Sequence, residues 1–127
     1  MPTIIAGVTV LEMAQGDGLL ATAQIEKAMI VGVKIKEALA RSHKAGVTIA
    51  FGTDMGVGPH GQNAREFGFM VEAGMRSREA IKAATVNAAK LLDLSDEVGT
   101  IASGKSADVI AVDSSPLDDV VSRPNRR

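Results

Sequence analysis

The run Val47-Thr48-Ile49-Ala50-Phe51 ends in Gly52-Thr53-Asp54 and opens onto a loop, Met55 to Gln62, built around Gly56, Gly58, Pro59, His60 and Gly61. Apolar on both alternations and bounded by turn residues, this run reads as a strand buried on both faces, the kind that parallel sheets contain. A carboxylate therefore stands at a strand's C-terminal end, where α/β folds collect their ligand-binding and catalytic groups.

The flanking pattern supports a parallel architecture. Thr3 to Val10 is a second β-branched run and reads as another buried strand. Between the two, from about Thr22 to Ala45, the pattern is helical, with Val31, Ile35, Ala38, Leu39 and Ser42 on one face. Gly32 is a candidate break, and Gly46 is the expected left-handed residue past the end. After the loop, a helix is expected from about Asn63 to Ala73, with Phe67, Met70 and Val71 buried and Gly74 as its stop. Another follows with Ser77 as its cap and Ile81, Ala84, Ala88, Leu91 and Leu92 as its stripe. Two short strands, Thr100 to Ala102 and Ala107 to Val112, are expected around the turn Ser103-Gly104-Lys105-Ser106. This order gives two βα units, and two units cannot close a sheet; a full (β/α)₈ barrel takes about 250 residues.

Composition narrows the function classes. The 127 residues carry a formal charge of −1 with both signs scattered, unlike the basic footprint of a nucleic-acid binder. No cysteine is present, so disulfides, thiolate metal sites and cysteine nucleophiles are excluded. No apolar run approaches the length of a membrane span, and the first residues lack a signal-peptide pattern. These features predict no membrane partner and a cytoplasmic location.

Asp54 is the first candidate for chemistry, against the alternative that it merely caps the turn by accepting backbone N–H groups. His60, in the overhanging loop, could meet a substrate, or simply face solvent. His43 falls in the last turn of a helix, where a cation suits the dipole. Gly56, Gly58 and Gly61 fit G-x-G-x-x-G literally, but Asp54 would set negative charge beside a pyrophosphate and Pro59 removes a donor. Arg65 and Glu66, opening the next helix, read as exposed charge, and Asp108 as an acceptor of local backbone bonds.

Ala45-Gly46-Val47-Thr48-Ile49-Ala50-Phe51-Gly52-Thr53-Asp54, with Pro59-His60-Gly61-Gln62-Asn63-Ala64-Arg65-Glu66-Phe67, resembles the last barrel strand and following loop of the metal-dependent amidohydrolase superfamily. The stretch Glu79 to Leu92, then Gly99-Thr100-Ile101, Gly104 to Ile110 and Asp113 to Leu117, is similar to that family's closing helices and its return into a small β-sandwich. Within the superfamily, the imidazolonepropionase-like branch with its prolidase-type dipeptidases is the best match.

The resemblance implies an α/β fold: the last two βα units of a (β/α)₈ barrel over residues 1–98, strands of the companion β-sandwich over 99–120, and a tail over 121–127. It implies hydrolysis of a C–N bond in a small-molecule or dipeptide-like substrate, by water activated on one or two divalent metals, commonly zinc. Asp54 maps onto the family's aspartate, a metal ligand that takes the water's proton and passes it to the leaving amine. The loop position of His60 implies contact with substrate. The sequence departs from the family in having no H-x-H and no bridging lysine strand, and its two histidines match none of the family's metal histidines. Catalytic zinc normally takes three protein ligands, so this chain alone is expected to hold no metal tightly. Its expected partners are the remainder of a barrel or another copy of the chain. The competing expectation is a non-catalytic α/β module that self-associates through open sheet edges.

Overall fold

The computed structural model describes residues 1–16, 22–56 and 58–120. Among the described residues five helices follow one another: α1 (Ile4–Gly16), α2 (Thr22–Lys44), α3 (Arg65–Glu72), α4 (Ser77–Ala84) and α5 (Val86–Leu91). The expected tail, 121–127, lies outside the described residues.

The first expected strand is a helix. Ile4, Ile5 and Thr9 are buried and Val8 is packed at the margin, an i, i+1, i+4, i+5 spacing that belongs to a helical face and not to a pleat. β-Branched content is a weak guide because strand propensity measures fit to a half-buried surface. Here α1 finds its partner in α2 instead of in a sheet. Gly7 and Gly32 make that contact: a Cβ on Gly7 would lie 3.5 Å from the Cα of Gly32, and one on Gly32 would lie 3.6 Å from Leu11 Cδ1. Gly32 thus serves close helix approach and does not break α2, which runs unbroken to Lys44. The buried face of α2 is rotated from the expected stripe, with Leu39 buried and Ile35 packed against the core while Val31 and Ala38 are exposed.

Two helix stops follow the sequence rules. Gly46, at φ +75°, donates to His43 O, and Val47 donates to Ser42 O. Gly74, at φ +101°, donates to Val71 O, and Met75 to Met70 O. Both are the paired bonds of a Schellman cap, which satisfies carbonyls that a helix end otherwise leaves open.

Residues 47–53 form no ladder among the described residues. The segment crosses the core with Ile49 and Ala50 buried. Its polar groups are met by helices: Phe51 N donates to Ala83 O at 3.0 Å, and Asn87 Nδ2 donates to Ile49 O at 2.8 Å. Around it lie Ile4, Leu39, Met70, Ala73, Met75, Ala80 and Ala83, with the rings of Phe51 and Phe67 4.5 Å apart and tilted by 32°.

The closing helices are split at Thr85 (φ −119°, ψ −90°), whose Oγ1 donates to Ile81 O at 2.9 Å. The buried stripe is Ala80, Ala83 and Ala89, and not the expected leucines; Leu91 and Leu92 are exposed. Ser77 is not the cap of α4. That position is Arg76, whose backbone N–H is accepted by the Glu79 carboxylate at 2.9 Å.

The expected strands over 100–112 do not pair into a hairpin. Lys105 N donates to Ala102 O, so a turn forms, but Ile101, Val109 and Ile110 stay exposed. A two-stranded hairpin is marginal in water without a third strand or a helix to cover it, and among the described residues nothing covers this one. No described helix is long and apolar enough to cross a membrane.

Candidate functional site

The site grows from the exit of segment 47–53. Asp54 sits at φ +50°, one of two non-glycine residues in the left-handed region among the described residues, the other being Asp93. Aspartate tolerates that region better than most residues, yet such backbone costs free energy and gathers at functional sites. The turn is closed by backbone: Gly56 N donates to Asp54 O at 2.9 Å. The Asp54 carboxylate is exposed and makes no hydrogen bond or ion pair among the described residues. Among the described residues its side chain accepts no backbone N–H of the turn, so the turn-capping alternative finds no support there.

The loop from Asp54 returns to its own origin. Asn63 Nδ2 donates to Thr53 Oγ1 at 3.1 Å while Asn63 Oδ1 accepts from Gly61 N at 3.2 Å. One side chain thereby ties the loop's far end to the neighbour of Asp54. His60 lies within this closed loop, exposed and without a side-chain bond among the described residues. Asp54 and His60 thus share one loop, and neither side chain makes a bond among the described residues. His43 stands apart, in the last turn of α2, with Nε2 3.3 Å from Glu79 Oε2.

Three sequence readings are corrected. Glu66 is not exposed charge: it is fully buried, and its two carboxylate oxygens accept the N–H groups of Ile4 (3.1 Å) and Ile5 (2.7 Å). Burial pushes its carboxyl pKa up, and the two backbone bonds oppose that shift. Arg65 is only partly exposed: its Nη1 and Nη2 reach Glu12 at 3.1 and 2.5 Å, and its guanidinium lies 5.7 Å from the centroid of Phe69. Asp108 is exposed and accepts no hydrogen bond among the described residues. Sequence alone could not give the Glu66 contact, because its partners lie 61 and 62 residues away. The available signal was a carboxylate directly before the apolar run Phe67 to Val71.

The chain matches the amidohydrolase family over residues 6–127. It belongs to the amidohydrolase family. Ochratoxinase of Aspergillus niger is 46% identical over 94 residues, which are 66% of this chain and 19% of that protein. An imidazolonepropionase of Caldanaerobacter subterraneus subsp. tengcongensis is 39% identical over 77 residues, 58% of this chain and 18% of that protein. A crystal structure of a Xaa-Pro dipeptidase with bound methionine in its active site superposes with a TM-score of 0.87 at 45% identity, covering 95% of this chain and 30% of that one. The amidohydrolase chain thus spans about a fifth of the curated relatives and under a third of the solved one. The likeness to the dipeptidase places the fold with amidohydrolase structures of TIM-barrel type.

Amidohydrolases generally use a divalent metal. Among the described residues no three His, Asp or Glu side chains stand together as a metal site. Asp54 alone is a single donor, so the residues present do not fit a metal centre by themselves.

Proposed function

We propose that this chain is the aspartate-bearing end of an amidohydrolase that cleaves the C–N bond of dipeptides of Xaa-Pro type. Its residues 1–98 would correspond to the last two helical units of the barrel, with 99–120 entering the β-sandwich. Asp54 is the proton-handling carboxylate of this reading and one ligand of a zinc centre whose remaining ligands come from outside the chain. His60 is the substrate contact. The observation that carries the reading is the Asp54 carboxylate itself: exposed, without a hydrogen bond or ion pair among the described residues, held at φ +50° at the exit of a buried segment, with its loop tied back by Asn63. An acid–base group needs free lone pairs and a fixed origin, and this residue has both. The substrate class rests on the dipeptidase, the solved relative that covers nearly the whole chain at 45% identity.

The test is to replace the matching segment of that Xaa-Pro dipeptidase with this chain and to follow release of proline from Xaa-Pro dipeptides. The chimera is expected to turn over and the isolated chain is expected not to. Turnover by the isolated chain, or a correctly folded chimera that binds metal but releases no proline, would overturn the reading.

A further inference from the structure

Burying a carboxylate is costly, and a protein retains one where its geometry does something that a neutral side chain cannot. Glu66 is fully buried on the first turn of α3, and it spends both oxygens on the first two N–H groups of another helix. Those N–H groups are among the four that a helix leaves unsatisfied, and they carry the positive end of its dipole. Glu66 therefore fixes where α1 begins. Its neighbour Arg65 grips the same helix eight residues on, at Glu12, about 12 Å further along the axis. Two points so far apart set the position of α1 along its axis and its rotation about it.

What α1 touches is the loop after Asp54. A Cβ on Gly58 would lie 2.7 Å from Thr9 Cγ2, so the loop backbone rests directly on the buried Thr9. Just ahead of α1, the Met1 side chain covers Gly52, where a Cβ would meet Met1 Cε at 3.0 Å. The loop is thus held at its root by Asn63 on Thr53, along its length by α1, and at its far end by Arg65 Nη1 donating to Gln62 Oε1 at 2.9 Å.

We propose that Arg65 and Glu66 are positioning residues that press α1 onto the loop of Asp54 and His60 and so fix where those two side chains stand. Their importance to turnover rests on the function proposed above; the clamp itself does not. Glu66 acts through α1, Arg65 acts through α1 and also directly, its Nη1 donating to Gln62 Oε1 at 2.9 Å at the end of the loop, and neither residue touches the reacting groups.

The clamp is tested on this chain alone, without substrate, by amide hydrogen exchange resolved by segment. Glu66→Gln keeps the shape but turns an amide NH₂ toward a backbone N–H, a donor facing a donor. Arg65→Met keeps the packing stem and loses both the ion pair to Glu12 and the bond to Gln62 at a partly exposed position, so it folds even if Glu66→Gln does not. Glu66→Gln leaves the Gln62 bond in place and so isolates the part carried by α1. In both variants, exchange over 4–11 and over 54–64 is expected to rise by about tenfold through local opening, with 77–91 unchanged. Glu66→Asp, which retains both oxygens, is expected to fall between wild type and Glu66→Gln. Faster exchange in α1 with no change over 54–64 would overturn the proposal, as would an equal rise over 77–91, since the pair would then be a helix cap or a general stabiliser. That failure would leave the Asp54 reading standing, because the latter is judged by proline release.

Discussion

Asn63 donates its amide to Thr53 Oγ1 and so joins the two ends of the loop that carries Asp54 and His60. Asn63→Ala removes this bond and the one that Gly61 N makes to the same side chain. Side-chain hydrogen bonds contribute about 0.5–1.5 kcal/mol each, so the variant should lose about 1–2 kcal/mol in urea unfolding. With no Trp or Tyr in the chain, unfolding is best followed by circular dichroism. An unchanged midpoint would show that the loop is held elsewhere.

Core packing gives a contrast between two long apolar side chains. Met70 has no exposed surface, and Leu92 is 65% exposed. Met70→Ala should cost about 2–5 kcal/mol, and Leu92→Ala within about 0.5 kcal/mol in this chain. Equal losses in urea unfolding would contradict the described core.

Acid titration separates two carboxylates with opposite shifts. The Arg76 guanidinium, then the Arg76 backbone N–H and more weakly His43, hold Glu79 down at about 2 from 4.5. A depressed pKa means that stability is present above 4.5 and is lost as pH falls toward 2. Glu66 is shifted up by burial, so its contribution is full below 4.5 and is lost as pH rises through its folded value. Glu79→Gln should therefore lower the urea midpoint at pH 7 and flatten its decline between pH 4.5 and 2. A decline as steep as in wild type would show that Glu79 is not the group responsible.

Much of the site was legible because its determinants are contiguous. The apolar run, the glycines and Asp54 lie within sixteen residues, and the left-handed stops at Gly46 and Gly74 need only local rules. What could not be read depends on residues distant in sequence. Ile4, Ile5, Val8 and Thr9 suggest a strand until Gly7 meets Gly32, and Glu66 suggests surface charge until Ile4 and Ile5 reach it. The expected hairpin around Gly104 fails for a related reason, since nothing among the described residues covers Ile101, Val109 and Ile110. Asp54 is a candidate from its place at the end of an apolar run; its left-handed backbone, and a carboxylate without a bond among the described residues, are not legible in the sequence.

The most direct measurement is kcat of the Asp54→Asn variant in the dipeptidase chimera, with metal content determined for both proteins. Asparagine keeps the shape and tolerates the left-handed backbone but cannot take up a proton at neutral pH. General acid–base groups contribute about 10²- to 10⁴-fold in rate, so kcat should fall by that factor while KM changes little and His60→Ala mainly raises KM. A kcat within a few-fold of the parent, at equal metal content, would contradict the role given to Asp54.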